Sequence, residues 1–88
     1  DADLGVYGAV DCGLFLGAFL LALEAAGVGA IAQAALATRS SLVRDHFGLP
    51  ADRRVLCGVS FGYEDRGHPA NTFRTSRMQV DDLVTWHG

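Results

Sequence analysis

Two arginines and two hydroxyl groups lie close together near the end of the sequence, in the segment FRTSR. Arg74 and Arg77 are three residues apart, with Thr75 and Ser76 between them. A guanidinium group beside hydroxyls suits a phosphate, because it can donate two parallel charge-assisted hydrogen bonds to phosphate oxygens. The segment therefore predicts either a phosphate contact or a solvated polar loop, and the residues taken alone favour the loop.

A run of small residues, Ala32-Gln33-Ala34-Ala35, follows an apolar segment that is typical of a short strand. Small side chains leave the backbone N–H and C=O groups accessible to a neighbour. A flat ligand with a polar edge, such as a flavin ring, needs donors of this kind near its reactive nitrogen. Ordinary close packing is the alternative, and composition alone favours it, because small apolar residues are among the most often buried.

No acid–base or metal-binding constellation is visible in the sequence. Ser60 lies in GVSFG, which matches the GxSxG pattern of serine hydrolases, but that pattern needs a helix directly after the serine, and the next residues indicate continued strand. The three histidines show no paired-ligand spacing. Cys12 and Cys57 fit no ligand pattern either, and we expect both thiols to be reduced and buried, as in a cytosolic protein. The sequence thus predicts no catalytic residue and no metal site.

The elements that would position these groups alternate between helix and strand. A long apolar helix is predicted over residues 9–26, with Asp11 at its start and Gly27 as its stop. Its uncharged stretch of twelve residues is shorter than the roughly 20 that a bilayer requires, which favours a buried core helix. Strands are predicted over 28–33 and 54–64, and a helix that starts near Ser40 or Ser41 and ends at Gly48 lies between them. A possible helical turn and an extended segment, 84–86, follow a loop.

The composition indicates an α+β or α/β domain that is incomplete on its own. Half of the 88 residues are apolar, which is more than so short a chain can bury, so we expect a partner or further chain to cover the excess. Gly13 and Gly17 form a bare stripe on the long helix that suits either packing within one chain or a dimer seam. Seven arginines, no lysine and a formal charge of −3 provide no basic stripe for nucleic acid.

Four segments taken together resemble the C-terminal part of the FMN-dependent nitroreductase family. They are GVYGAVDCGLFLGAFLLALEAAGVGAIAQAALA, RDHFGLPADRRVLCGVSFGYED, HPANTFRTSR and VDDLVTWHG. Their order and spacing carry the resemblance, which extends over nearly the whole sequence in one register. It implies an α+β fold with a long central helix, a short helix and few strands, of which residues 1–88 are a C-terminal fragment.

The resemblance also implies a cofactor site. Family members are intertwined homodimers that hold two FMN molecules at the subunit interface. The stretch that matches Gln33, Ala34 and Ala35 runs along the flavin ring, with a backbone N–H near the reactive nitrogen. The phosphate-binding arginine falls on Arg77, and a second basic contact of some members falls on Thr75, which offers only a hydroxyl. The tail around residues 84–86 is expected to reach the other subunit's sheet.

The activity implied is a ping-pong transfer of reducing equivalents from NAD(P)H to a nitroaromatic, a quinone or a related small-molecule acceptor, in a cytoplasmic enzyme with no nucleic-acid or membrane partner. The family's N-terminal half, with its Arg/Ser-rich phosphate motif, has no counterpart in these residues, so we expect the chain alone to be inactive. A non-enzymatic reading stays open, in which a truncated chain serves only as a packing module.

Overall fold

The computed structural model describes all 88 residues as a helix-rich chain with one small sheet. The helices are α1 (Gly5–Ala25), α2 (Ser40–Phe47) and α3 (Val80–Leu83), and the strands are β1 (Gly29–Gln33) and β2 (Gly58–Gly62). Three 3-10 turns complete it, at Ala2–Leu4, Ala34–Arg39 and Pro69–Asn71. The α+β composition expected from the sequence is confirmed.

Helix α1 begins four residues earlier than the sequence predicted. The preceding 3-10 turn is capped by Asp1, whose Oδ1 accepts from the Asp3 backbone N–H at 2.9 Å. A residue distant in sequence also stabilises that turn, because the Ala2 N–H donates to the Asp52 carbonyl at 2.7 Å. The sequence had suggested that Asp11 caps the start of the helix. Because α1 begins at Gly5, Asp11 instead lies inside it. The stop at Gly27 is confirmed by its left-handed φ of 75°.

With its leading turn, α1 is long and apolar enough to cross a membrane. The 24 residues from Ala2 to Ala25 have a mean hydropathy of 1.9 over an 18-residue window, and none of that window is buried within the chain. The uncharged stretch of twelve residues therefore does not by itself argue against a membrane span, because the helix that forms has 21 residues. A core helix of a globular enzyme passes the same test of length and composition.

Strands β1 and β2 pair antiparallel, with Ile31 opposite Ser60 and Gln33 opposite Gly58. Since side chains alternate between faces, Ile31, Gln33 and Ser60 share one face and Phe61 lies on the other. The ring of Phe61 meets that of Phe19 on α1 edge-on, with centroids 6.2 Å apart. Helix α1 therefore packs against the Phe61 face, and the Ser60 face points away from it.

Strand β2 is shorter than the segment 54–64 predicted from alternation. Its ladder ends where Gln33 meets Gly58, because the chain after Gln33 turns into the 3-10 segment and leaves residues 54–57 without a partner strand. Helix α2 forms as expected and ends at Gly48, whose φ is 63°. Its first residue, Ser40, does not cap it, since the Ser40 hydroxyl donates to the Ala37 carbonyl at 2.9 Å. Val84 is extended but lies in no sheet.

The chain has no closed core of its own. No residue is buried, and the Cα radius of gyration is 16.8 Å. A Cβ atom added at Gly13 or Gly17 on α1 would have no atom within 4 Å of it, so nothing in this chain packs on that stripe. Both cysteines are free, but Cys12 is exposed and Cys57 half-buried, so the expectation of two buried thiols is wrong for the chain alone.

Candidate functional site

A cavity of about 770 Å³ lies at the end of the sheet where Gly29 pairs with Gly62. Its lining includes the consecutive residues 29–31 of β1 and 60–62 of β2, so residues of both sheet faces contribute to it. Arg74 and Arg77 of the FRTSR segment also line this cavity, as does Glu24 at the end of α1. The volume falls in the range of about 300–1,000 Å³ that is usual for small-molecule sites. The structure thus brings the predicted phosphate segment to the edge of the sheet.

The two arginines of this cavity differ in their partners. Arg74 pairs with Glu64, with Nη2 and Oε1 3.6 Å apart, and this exposed pair is a weak interaction. Arg77 has no carboxylate partner in the chain. Its Nη1 donates to the Thr75 hydroxyl at 2.7 Å and to the Ser76 carbonyl at 3.0 Å. Arg77 is therefore the cation available to a ligand, and Thr75 holds its guanidinium in place.

Gln33, Ala34 and Ala35 lie together where β1 passes into the 3-10 turn, and all three are exposed. Ala34 and Ala35 are the first two residues of that turn, where backbone N–H groups have no partner within the helix. Their methyl side chains leave these donors open to a neighbour. None of the three residues lines the cavity that holds Arg77.

Ser60 connects the two groups of predicted residues. Its hydroxyl donates to Oε1 of Gln33 at 2.7 Å, and Ser60 also lines the cavity that Arg77 lines. The sequence analysis had considered Ser60 only as a hydrolase nucleophile. No helix follows Ser60, and β2 continues to Gly62, so the structure excludes the nucleophile elbow.

The arrangement offers hydrogen-bond donors of two kinds. The Arg77 guanidinium, which is hydrogen-bonded to the Thr75 hydroxyl, suits a phosphate. The Gln33 amide and the backbone N–H groups of the two residues after it suit a planar ring with polar atoms on its rim. These two kinds of donor are the ones that a flavin mononucleotide, with its phosphate and its planar ring, would require. No group of His, Cys, Asp or Glu side chains in the chain could hold a metal ion.

Comparison with known proteins gives a consistent result. The model of the nitroreductase family matches residues 1–63. A 4-nitrobenzoate reductase of Nocardioides sp. (strain LMS-CY) is 35% identical over 77 residues, which are 88% of this chain and 31% of that protein. A 4-nitrobenzoate reductase of Pseudomonas putida is 32% identical over 88 residues, all of this chain and 39% of that protein.

Solved structures agree with the sequence relatives. The FMN-dependent nitroreductase NfnB from Mycobacterium smegmatis, in complex with NADPH, superposes with a TM-score of 0.85 at 30% identity, over 91% of this chain and 36% of that one. An FMN- and NADPH-dependent NfnB from a sphigopyxis strain superposes with a TM-score of 0.86 at 27% identity, over 92% and 36%. The chain therefore spans between about 30% and 40% of the length of the proteins it matches.

Proposed function

Because this chain belongs to the nitroreductase family, we propose that it is the C-terminal part of an FMN-dependent oxidoreductase. The enzyme transfers reducing equivalents from NAD(P)H to a nitroaromatic, a quinone or a related small-molecule acceptor by a ping-pong sequence. The observation that carries the proposal is the position of Arg77, unpaired with any carboxylate, at one cavity with Ser60, which in turn bonds Gln33.

Each proposed site residue has a distinct task. Arg77 binds the phosphate of FMN, and the Thr75 hydroxyl orients its guanidinium and donates to a phosphate oxygen. Gln33, Ala34 and Ala35 line the ring edge, where the two backbone N–H groups act as donors. The flavin, when bound, supplies the hydride and electron chemistry, so these residues bind and orient and need no acid or base of their own.

The apolar surface of α1 supports a homodimer in which each FMN lies at the subunit interface. Phe15 on this helix is 70% exposed, and the stripe of Gly13 and Gly17 is open. A second subunit and the remaining chain would cover these groups, which places α1 in a core rather than a bilayer. The same proposal includes a cytoplasmic location and a tail at residues 84–86 that reaches the other subunit.

A second function is favoured by one observation, the absence of any buried residue. A chain without a core of its own could serve only as a packing module for another protein, with no cofactor. The two functions predict different properties for the purified full gene product, which is the whole protein encoded by the gene that contains these residues. The enzyme retains FMN and oxidises NAD(P)H with a nitroaromatic acceptor, whereas the packing module does neither.

The decisive variant is Arg77→Gln in that gene product, with Arg66→Gln as the matched control. The Arg66 side chain is 91% exposed, and its only carboxylate contact is a 3.9 Å approach to Glu64. Loss of charge-assisted bonds worth about 1.5–3 kcal/mol should weaken FMN binding about 10- to 150-fold in R77Q. Titration followed by flavin fluorescence measures this. Equal dissociation constants for R77Q and R66Q would contradict the assignment of Arg77.

A further inference from the structure

The side chain of Ser60 makes the one hydrogen bond between side chains that joins the two strands. Ser60 and Gln33 are 27 residues apart in sequence, and the Ser60 hydroxyl donates to Oε1 of Gln33 at 2.7 Å. In the ladder, Ser60 lies opposite Ile31 and diagonal to Gln33, a separation that a long side chain spans. The bond thus follows from the register of the sheet.

No other side chain of β2 could perform this task. On the face that Gln33 shares, the residues of β2 are Gly58, Ser60 and Gly62, so Ser60 alone carries a side chain there. The space beside Gly58 is filled by Leu36, since a Cβ added at Gly58 would overlap Cδ1 of Leu36. The hydroxyl of Ser60 is therefore the one polar side-chain group that β2 carries on the face of Gln33.

This bond fixes which end of the amide is free. A glutamine side chain carries one carbonyl acceptor and an NH₂ group with two donors. With Oε1 held by Ser60, Nε2 is left with both of its N–H groups unbonded to the rest of the chain. The unbonded end of the Gln33 side chain therefore offers donors, and not an acceptor, to a ligand.

We infer that Ser60 is a positioning residue, which locks the Gln33 carboxamide so that its Nε2–H groups donate to the carbonyl edge of the flavin. This inference rests on the proposed function. The pyrimidine edge of a flavin gains negative charge on reduction, so donors there stabilise the reduced form more than the oxidised form. Ser60 thereby raises the reduction potential of the flavin without touching it.

The test compares Ser60→Ala and Ser60→Thr in the FMN-loaded gene product, with Ser41→Ala as control. Ser41 is exposed on α2, away from the cavity, and its side chain forms no hydrogen bond. Without the Ser60 hydroxyl the amide can rotate and present its carbonyl. We expect S60A to favour oxidised over reduced FMN by about three- to tenfold, which is about 15–30 mV lower in potential. S60T keeps the hydroxyl and should match the wild type.

The readout is the midpoint potential from titration against a reference dye, together with the visible spectrum of the bound flavin. Gln33→Glu is the second variant, since it keeps an oxygen for Ser60 but replaces the NH₂ donors with an acceptor, and it should lower the potential further. Bound FMN with equal potentials in S60A, Q33E and the wild type would overturn the inference and leave the proposed function standing. A wild-type gene product that retains no FMN would overturn both.

Discussion

We predict that the isolated 88-residue chain does not form a stable monomer. Its accessible surface is 7663 Å², whereas a folded monomer of this mass exposes only about 5,000 Å². The excess of about 2,700 Å² is larger than the share of about 1,000–2,500 Å² that one subunit contributes to an obligate dimer interface. Dimerisation alone would therefore leave apolar surface in water, so further chain is needed to cover it.

The perturbation is dilution of the isolated chain away from any partner. Sedimentation gives its mass, and urea unfolding followed by circular dichroism gives its cooperativity. We expect association at high concentration and, on dilution, a broad transition with a small m-value, because little surface is buried. Small-angle scattering supplies an independent check. A dilute monomer with a radius of gyration near 12 Å, the value for a compact chain of this length, and a sharp urea transition would refute the reasoning.

Four further predictions concern packing and cofactor binding, the first three measured as urea midpoints of the full gene product. Phe19→Ala removes the half-buried ring that contacts β2 and should lower the free energy of unfolding by about 2 kcal/mol. Phe73→Ala, at an exposed site, should lower it little. Equal effects would contradict the packing of α1 on the sheet. Gly58→Val should cost about 1–3 kcal/mol by displacing Leu36, and an unchanged midpoint would show that this contact is absent. Gly48→Ala should cost about 1 kcal/mol because φ is 63°, and a gain in stability would argue against the left-handed stop of α2. The isolated chain should bind FMN weakly or not at all in a fluorescence titration, an expectation that a submicromolar dissociation constant would overturn.

The elements with strong local signals could be predicted from the sequence. The Ala- and Leu-rich run forms α1, and Gly27 and Gly48 end the first two helices because both adopt positive φ. The early start of α1 was not predicted, and the turn before it makes a bond that the sequence does not reveal, from the Ala2 N–H to the Asp52 carbonyl, fifty residues away. The short β2 likewise reflects its partner strand, which turns away after Gln33.

In the candidate site, too, the contacts between residues close in sequence could be predicted and those between distant residues could not. Arg77 and Thr75 are two residues apart, so their contact follows from local spacing. The bond between Ser60 and Gln33 depends on the register of two strands that are far apart in sequence, which alternation alone does not specify. The β-favouring residues at 84–86 predict an extended tail, and Val84 is extended, but the sequence does not reveal what such a tail pairs with.

The central claim is that Arg77 and the stretch Gln33–Ala35 hold one FMN molecule together. A crystal structure of the full gene product with FMN bound tests it most directly. We expect the Arg77 guanidinium within about 2.7–3.2 Å of a phosphate oxygen and a donor of residues 33–35 at the same distance from the ring of that molecule. A flavin that contacts only one of the two groups, or neither, would contradict the claim.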